Sequence, residues 1–204
     1  MKKINYYLLS TVLLISLSTL ALNFTSNSIH ESSNLANDEI VSVDTENSVI
    51  KWKGEKVTGF HEGIINIKTA NLTFDNKDLT GGEVIIDMSS IDCTDLSGPY
   101  KNKLEEHLNS SDFFNVTEYP ISKLKITDCK KLSKNLYEVV ADLTIKNITE
   151  SVQFETELLN NVASADLIID RTKFDIKYSS GSFFKNLGDK MIYDNFSISV
   201  NINY

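Results

Sequence analysis

Cysteine, proline and histidine are scarce in this chain, with two cysteines, two prolines and three histidines in 204 residues. Each scarcity excludes something. Cys93 and Cys129 lack the C-x-x-C spacing of a zinc or dithiol site. They could pair in an oxidising compartment, where geometry decides. Beyond His30 only His61 and His107 remain, and two histidines supply at most two zinc ligands. Glu105, Glu106 and His107 are adjacent on a helix, so they do not share a face and read as solvated helix surface. There is no G-x-S-x-G elbow, and "SSGS" at Ser179–Ser182 reads as a loop. Nothing here makes a positive case for catalysis or for a cofactor. Basic residues are also short, 20 against 28 acidic, for a net charge of −8. A surface that acidic is a poor partner for phosphates, so nucleic-acid binding is not expected, and anionic lipid surfaces should also repel it on average.

What is present divides into three parts. Residues 1–25 carry Lys2 and Lys3 followed by a long uncharged apolar stretch, which reads as a secretory signal peptide, with an uncleaved N-terminal anchor as the rival reading. Export to the periplasm or beyond follows as an expectation. No cysteine precedes Cys93, so the leader carries no site for lipid attachment to cysteine. Residues 26–39 are polar, rich in Ser and Asn, and read as a linker. Residues 40–204 hold a single domain of ordinary size, large enough to bury a core without staples.

Within that domain, apolar and polar residues alternate with period two. Ile50 and Trp52 alternate with Lys51 and Lys53; Ile65 and Ile67 are followed, after an expected bulge or break, by Leu72 and Phe74. Val84, Ile86 and Met88 share a face, as do Leu124 and Ile126. Tyr137, Val139, Ala141, Leu143 and Ile145 form the longest regular set. Val152 and Phe154, then Ala165, Leu167 and Ile169, then Phe196, Ile198, Val200 and Ile202 complete the series. This predicts about eight antiparallel strands with one apolar and one wetter face, joined by short polar turns in up-and-down order. One stretch departs from the pattern. "YKNKLEEHLNSSDFFNVTEYP" predicts a short helix from Pro99 to Leu108, bracketed by the two prolines.

The aromatics Phe113, Phe114, Tyr119, Phe174, Tyr178, Phe183 and Phe184 fall outside the clearest strand interiors. They either plug the ends of the sheet or rim an opening, and for Phe113 and Phe114 closure is the expected role. A barrel of about eight strands either fills with its own side chains or holds one ligand, and size does not decide between them.

The ordered segments "VDTENSVIKWKGEKVTGFHEG", "HLNSSDFFNVTEYP", "DLTIKNITESVQF", "IDRTKFDI" and "GDKMIYDNFSISVNI" resemble the YceI-like family, a polyisoprenoid-binding, lipocalin-like family. The resemblance implies an all-β fold, an extended eight-stranded antiparallel barrel with a short helix near one end. It also implies an exported carrier whose pore encloses an isoprenoid or other long-chain lipid; whether such a barrel makes transient contact with a membrane or membrane enzyme stays open. From the inward registers, the residues expected to touch such a tail are Trp52, Ile65, Ile67, Val84, Ile86, Leu143, Phe154, Leu167, Phe196 and Ile198. A one-residue slip would turn a whole strand's set outward. Two rivals stay open: an interaction module packed shut by its own aromatics, and an enzyme at the barrel mouth using His61 with Asp170 or Arg171.

Overall fold

The computed structural model describes residues 38–204, so the expected leader and nearly all of the linker lie outside the described residues. Nine strands run β1 (Glu39–Ser42), β2 (Asp44–Lys56), β3 (Gly59–Asp75), β4 (Asp78–Cys93), β5 (Ile121–Lys131), β6 (Leu136–Ile145), β7 (Ile148–Leu159), β8 (Val162–Asp170) and β9 (Ile192–Asn203). From β2 to β9 each strand bonds antiparallel to the next, and β9 pairs back onto β2, closing an eight-stranded barrel. The ninth strand, β1, is a detached first segment of the same edge. It pairs with the far half of β3, from Glu39↔Phe74 to Ser42↔Asn71, and only Val43 separates it from β2.

The alternation read from sequence produces this wall directly. In β6 every second residue, Tyr137 to Ile145, is buried, while the residues between are half-exposed. Three hairpins turn on residue pairs with positive φ, Asn76–Lys77, Lys146–Asn147 and Asn160–Asn161. Two positive φ values in a two-residue loop match the right-handed twist of the flanking strands, and Asn tolerates that conformation best after Gly.

Two long strands change their inward face partway. In β3 the pairing with β4 slips between Ile67 and Thr69. Buried positions are odd up to Ile67 and even from Leu72 onward. In β4 the buried set passes from Val84 and Met88 to Ile91 and Cys93. There Asp87 accepts bonds from the Ser89 amide and hydroxyl, and Ser90 Oγ bridges the Asp87 carbonyl and the Asn66 amide. Each irregularity inserts residues on one side of the ladder and bends the strand.

The connections sort the barrel into two ends. One end carries the β3–β4, β5–β6 and β7–β8 hairpins together with Tyr204. It is sealed by Phe74 stacked on Tyr204, with ring centroids 5.3 Å apart, and by Tyr137, whose hydroxyl donates to Asp78 at 3.0 Å. The other end carries the β2–β3 hairpin, the helix α1 (Gly98–Asn109) with its return, the Lys146–Asn147 turn, and the long loop between β8 and β9. This second end is the mouth.

Helix α1 begins with Pro99 in its first turn, and no residue of it is fully buried. It rests on the barrel through Leu108, while the return packs Phe113 and Val116 inward. Phe114 N–H donates to the Leu108 carbonyl and Val116 N–H to Asn109, so the return folds back on the end of the helix. His107 departs from the solvated surface expected of it. Its ring meets Phe113 edge-on at 4.8 Å and Tyr178 at 4.6 Å, joining the helix to the β8–β9 loop.

Candidate functional site: an apolar chamber along the barrel

The inward residues do not fill the barrel. They enclose an elongated chamber of about 240 Å³ that runs from Leu72, Leu79 and Ile202 at the sealed end to Ile192 and Tyr193 at the mouth. The stretch of β9 from Phe196 to Ile202 alone spans about 20 Å. Long and narrow, the chamber suits an extended chain better than a compact molecule. Its wall is apolar apart from a few groups, most of them already bonded. Ser122 Oγ donates to Met88 Sδ at 3.0 Å and Thr156 Oγ1 to the Ser164 carbonyl at 3.1 Å.

Nine of the ten residues named from sequence border this chamber: Trp52, Ile65, Val84, Ile86, Leu143, Phe154, Leu167, Phe196 and Ile198. Ile67 does not. It is buried in the apolar cluster around Leu72 and Val84, directly before the β3 bulge, and the bend takes it off the chamber wall. Trp52 is oriented by its indole N–H, which donates to the Ile64 carbonyl at 3.1 Å. Its ring lies against Gly63, where an added Cβ would fall 2.6 Å from the indole.

Other wall residues were not singled out from sequence. Met88 reaches the chamber on the face it shares with Val84 and Ile86, and Ile91 reaches it from beyond the β4 irregularity, which periodicity cannot anticipate. Gly54 also borders it, and a Cβ built there meets nothing within 4 Å. Its place two residues after Trp52, on the same face of β2, was the available signal. Phe113 and Phe114 both line the chamber as well as closing its end.

Arg171 borders the chamber and is 4% exposed. Its guanidinium donates to the carbonyls of Tyr193 (3.1 Å), Ile176 (2.8 Å) and Ile192 (3.0 Å), with Asp194 at 3.5 Å. Burial lowers its pKa, and the charges of Asp194 and Asp170 work against that. Arg171 therefore fastens the two ends of the β8–β9 loop together. Its neighbour Asp170 accepts from the amide and hydroxyl of Thr172, capping the short turn Arg171–Phe174. Phe174 and Ile176 are buried beneath it.

The enzyme reading needed His61 with Asp170 or Arg171, and each of these has another partner. His61 Nδ1 lies 2.8 Å from Asp95 Oδ2. Asp95 also accepts from the Glu62 amide at 3.0 Å and from the Cys93 thiol at 3.1 Å. Burial pushes the Asp95 carboxyl up, but the bonds from Glu62, His61 and Cys93 outweigh it and hold the pKa at about 2. Cys93 is fully buried, and both cysteines are free thiols. Burial raises the Cys93 thiol pKa and lifts that of Cys129 to about 11, so both stay protonated and unreactive near neutrality. Among the described residues, no group of three or more His, Cys, Asp or Glu side chains is arranged to hold a metal ion.

A closed antiparallel sheet around an apolar chamber, sealed at one end and flanked by a helix at the other, defines a lipocalin-like barrel. Residues 42–204 match the YceI-like domain, and the chain belongs to that family. Among curated relatives, Protein YceI of Shigella flexneri is 31% identical over 87 residues, 43% of each chain. A UPF0312 protein of Yersinia enterocolitica is 30% identical over 98 residues, 47% of each. The chain thus spans about half the length of the curated relatives it matches. Among solved structures, Burkholderia cenocepacia BcnA superposes with a TM-score of 0.63 at 20% identity, over 78% of this chain and 98% of that one. A polyisoprenoid-binding domain from Saccharophagus degradans gives 0.54 at 11% identity, over 79% and 95%. These likenesses are of fold.

Proposed function

We propose that this protein is an exported carrier or store for one long apolar lipid of isoprenoid type, a polyprenyl lipid or a prenyl quinone, which it encloses without transforming. The observation that carries the reading is the chamber itself, long, narrow and walled by aliphatic and aromatic side chains from all eight barrel strands. Each methylene removed from water contributes about 0.8 kcal/mol, so a tail of ten or so carbons supplies about 8 kcal/mol before ordering costs. Affinity of that origin needs no precisely placed polar group, in keeping with a wall whose Ser122 and Thr156 hydroxyls already have partners. The structural neighbour described as polyisoprenoid-binding supports the same ligand class. A packed-shut interior is disfavoured, because Phe113, Phe154 and Phe196 border the space and do not fill it.

The test is native mass spectrometry on protein purified without detergent, with lipid extraction of the same sample. A stoichiometric bound mass that matches a prenyl lipid is expected. A protein that carries no lipid and also fails to bind added prenyl quinone would overturn the reading.

A further inference from the structure

Thirteen large hydrophobic side chains stand exposed among the described residues, and their distribution is uneven. All six that are aromatic belong to the mouth end: Phe60, Tyr100, Tyr178, Phe183, Phe184 and Tyr193. At the sealed end the exposed apolar groups are aliphatic and scattered, Ile40, Leu132 and Leu159. Solitary exposed aliphatics are ordinary on any surface, whereas a cluster of aromatics confined to one end is not.

The cluster is a continuous feature of the mouth. Phe60 stands on the β2–β3 hairpin opposite Glu55. That hairpin is tied to the β8–β9 loop by the Val57 amide bonding the Met191 carbonyl and by the pairing of Lys56 with Ile192. Phe183 and Phe184 follow in the same loop, their amides bonding the Ser180 carbonyl, and Ser180 bridges to Ile192. Tyr178 joins them to the helix through His107.

The chamber meets solvent at the same end. Tyr193 and Asn195 are both exposed and both border the chamber. The reason lies in the ladder: β2 and β9 pair at Gly54↔Phe196 and next at Lys56↔Ile192, so Tyr193, Asp194 and Asn195 bulge out of register opposite Glu55. The seam is loosened where an apolar tail would have to pass.

Charge is uneven around this end. The helix side is acidic, with Asp92, Asp95, Glu105, Glu106, Asp112 and Glu118 against Lys101 and Lys103. In the stretches that carry the rim phenylalanines, residues 53–60 and 175–193, the balance reverses, and Lys53, Lys56, Lys177, Lys185 and Lys190 outnumber Glu55, Asp175 and Asp189 in a chain that is net acidic at −8. Two of these lysines lie over rim aromatics, Lys53 over Phe60 at 4.6 Å and Lys177 over Phe183 at 5.0 Å, and each also pairs with a carboxylate, Glu55 at 2.5 Å and Asp175 at 2.6 Å, so Lys56, Lys185 and Lys190 carry the excess positive charge. An aromatic ring beside a lysine suits a headgroup layer, where the ring sits among upper acyl carbons and the ammonium meets phosphate. Rings and ammonium groups gathered at one end of the barrel fit a bilayer's surface.

We infer that the mouth, through Phe60, Phe183, Phe184 and their lysines, docks on the surface of an anionic phospholipid bilayer and passes the tail across the Gly54–Asn195 seam. The inference rests on the lipid-carrier reading above and adds where the lipid is exchanged and with what. Docking removes the aqueous step from transfer, and that step is the costly one for a long apolar chain.

The experiment uses the full chain and vesicles of phosphatidylcholine mixed with phosphatidylglycerol, both carrying brominated acyl chains. Single reporters, each in a Trp52→Phe background, are Phe184→Trp at the mouth and Leu159→Trp at the sealed end. Quenching of the first and not of the second is expected, with the effect weakened by salt. Because the comparison is between two ends of the same barrel, association through the N-terminal residues does not imitate it. In a second arm, Phe60→Ser/Phe183→Ser/Phe184→Ser should slow transfer of prenyl quinone from these vesicles by about tenfold or more, while equilibrium binding of detergent-presented quinone is unchanged. Equal quenching at both ends, no quenching at either, or unchanged transfer in the triple variant would overturn the docking proposal. If mouth-selective quenching appears in a protein that binds no prenyl quinone, docking stands and the carrier reading fails.

Discussion

Gly63 shows how much one residue can decide. It pairs with Trp52 on one side and Cys93 on the other, and a Cβ there would fall 1.9 Å from the Asp92 carbonyl oxygen and 2.6 Å from the indole. Neither obstacle is the free end of a flexible chain, so the backbone must shift or the indole must leave the wall. Gly63→Ala is expected to cost about 2–3 kcal/mol, read as a lowered denaturant midpoint, with altered Trp52 emission in the native state. The same position shows where a sequence falls silent. Nothing in "HEGIIN" distinguishes a glycine kept for lack of space from one tolerated at a strand end. Asp170 and Arg171 are a second case. They were legible as a motif, and the Asp170 cap on Thr172 is local, but the three-carbonyl clasp of Arg171 was not legible, because its bonds reach backbone at Ile176, Ile192 and Tyr193, up to 22 positions away.

At the scale of elements, alternation carried most of the information. It gave the eight barrel strands and the inward face of each, since period two and one apolar face leave a single workable register. It failed where a ladder slips. Ile67 was assigned with Ile65, but the bulge beyond it bends the strand and removes it from the chamber wall. Where the ladder is regular the assignment can be tested sharply. Leu143 is 7% exposed, midway along the regular β6 set. Leu143→Asp places an unpaired carboxylate among Phe113, Leu167 and Phe174 and should destabilise by about 4 kcal/mol or more. A wild-type denaturation midpoint would mean that Leu143 faces water.

Elements are also joined by charge. Asp95 ties the segment leading into α1 back to β3 through His61 and the Glu62 amide. Its pKa of about 2 lies below the ordinary carboxylate value near 3.9. The folded state therefore binds this proton less readily than the unfolded chain. The stabilisation is complete above about pH 4 and is lost as pH falls toward 2. Asp95→Asn should lower stability by about 1–2 kcal/mol at neutral pH, and the gap from wild type should close between pH 4 and pH 2 in acid-titrated urea melts.

For the whole molecule, the chamber and its boundary act together. Gly54 sits where β2 faces the widening seam and has open space in front of it. Gly54→Leu should still fold, since its Cβ would meet nothing within 4 Å, and its branched end should project into the passage. Prenyl quinone is then expected to bind about tenfold more weakly, as each displaced methylene forfeits about 0.8 kcal/mol, and the Trp52 fluorescence response to quinone should shrink with it. Unaltered affinity would mean that the occupied length of chamber stops short of Gly54.

Closure of the sheet depends on residues at opposite ends of the described chain. Asn203 pairs with Asp44, and its amide donates to Ser48 Oγ, 155 positions away. In a polypeptide that emerges N-terminus first, β2 waits with an unpaired edge until the final strand arrives. Contacts so distant in sequence close slowly, and until they do the chain presents two open strand edges beside an unfilled apolar trough. The arrival of β9 therefore completes the hydrogen-bonded ring and the chamber wall in one step, since Phe196, Ile198, Val200 and Ile202 all border the chamber.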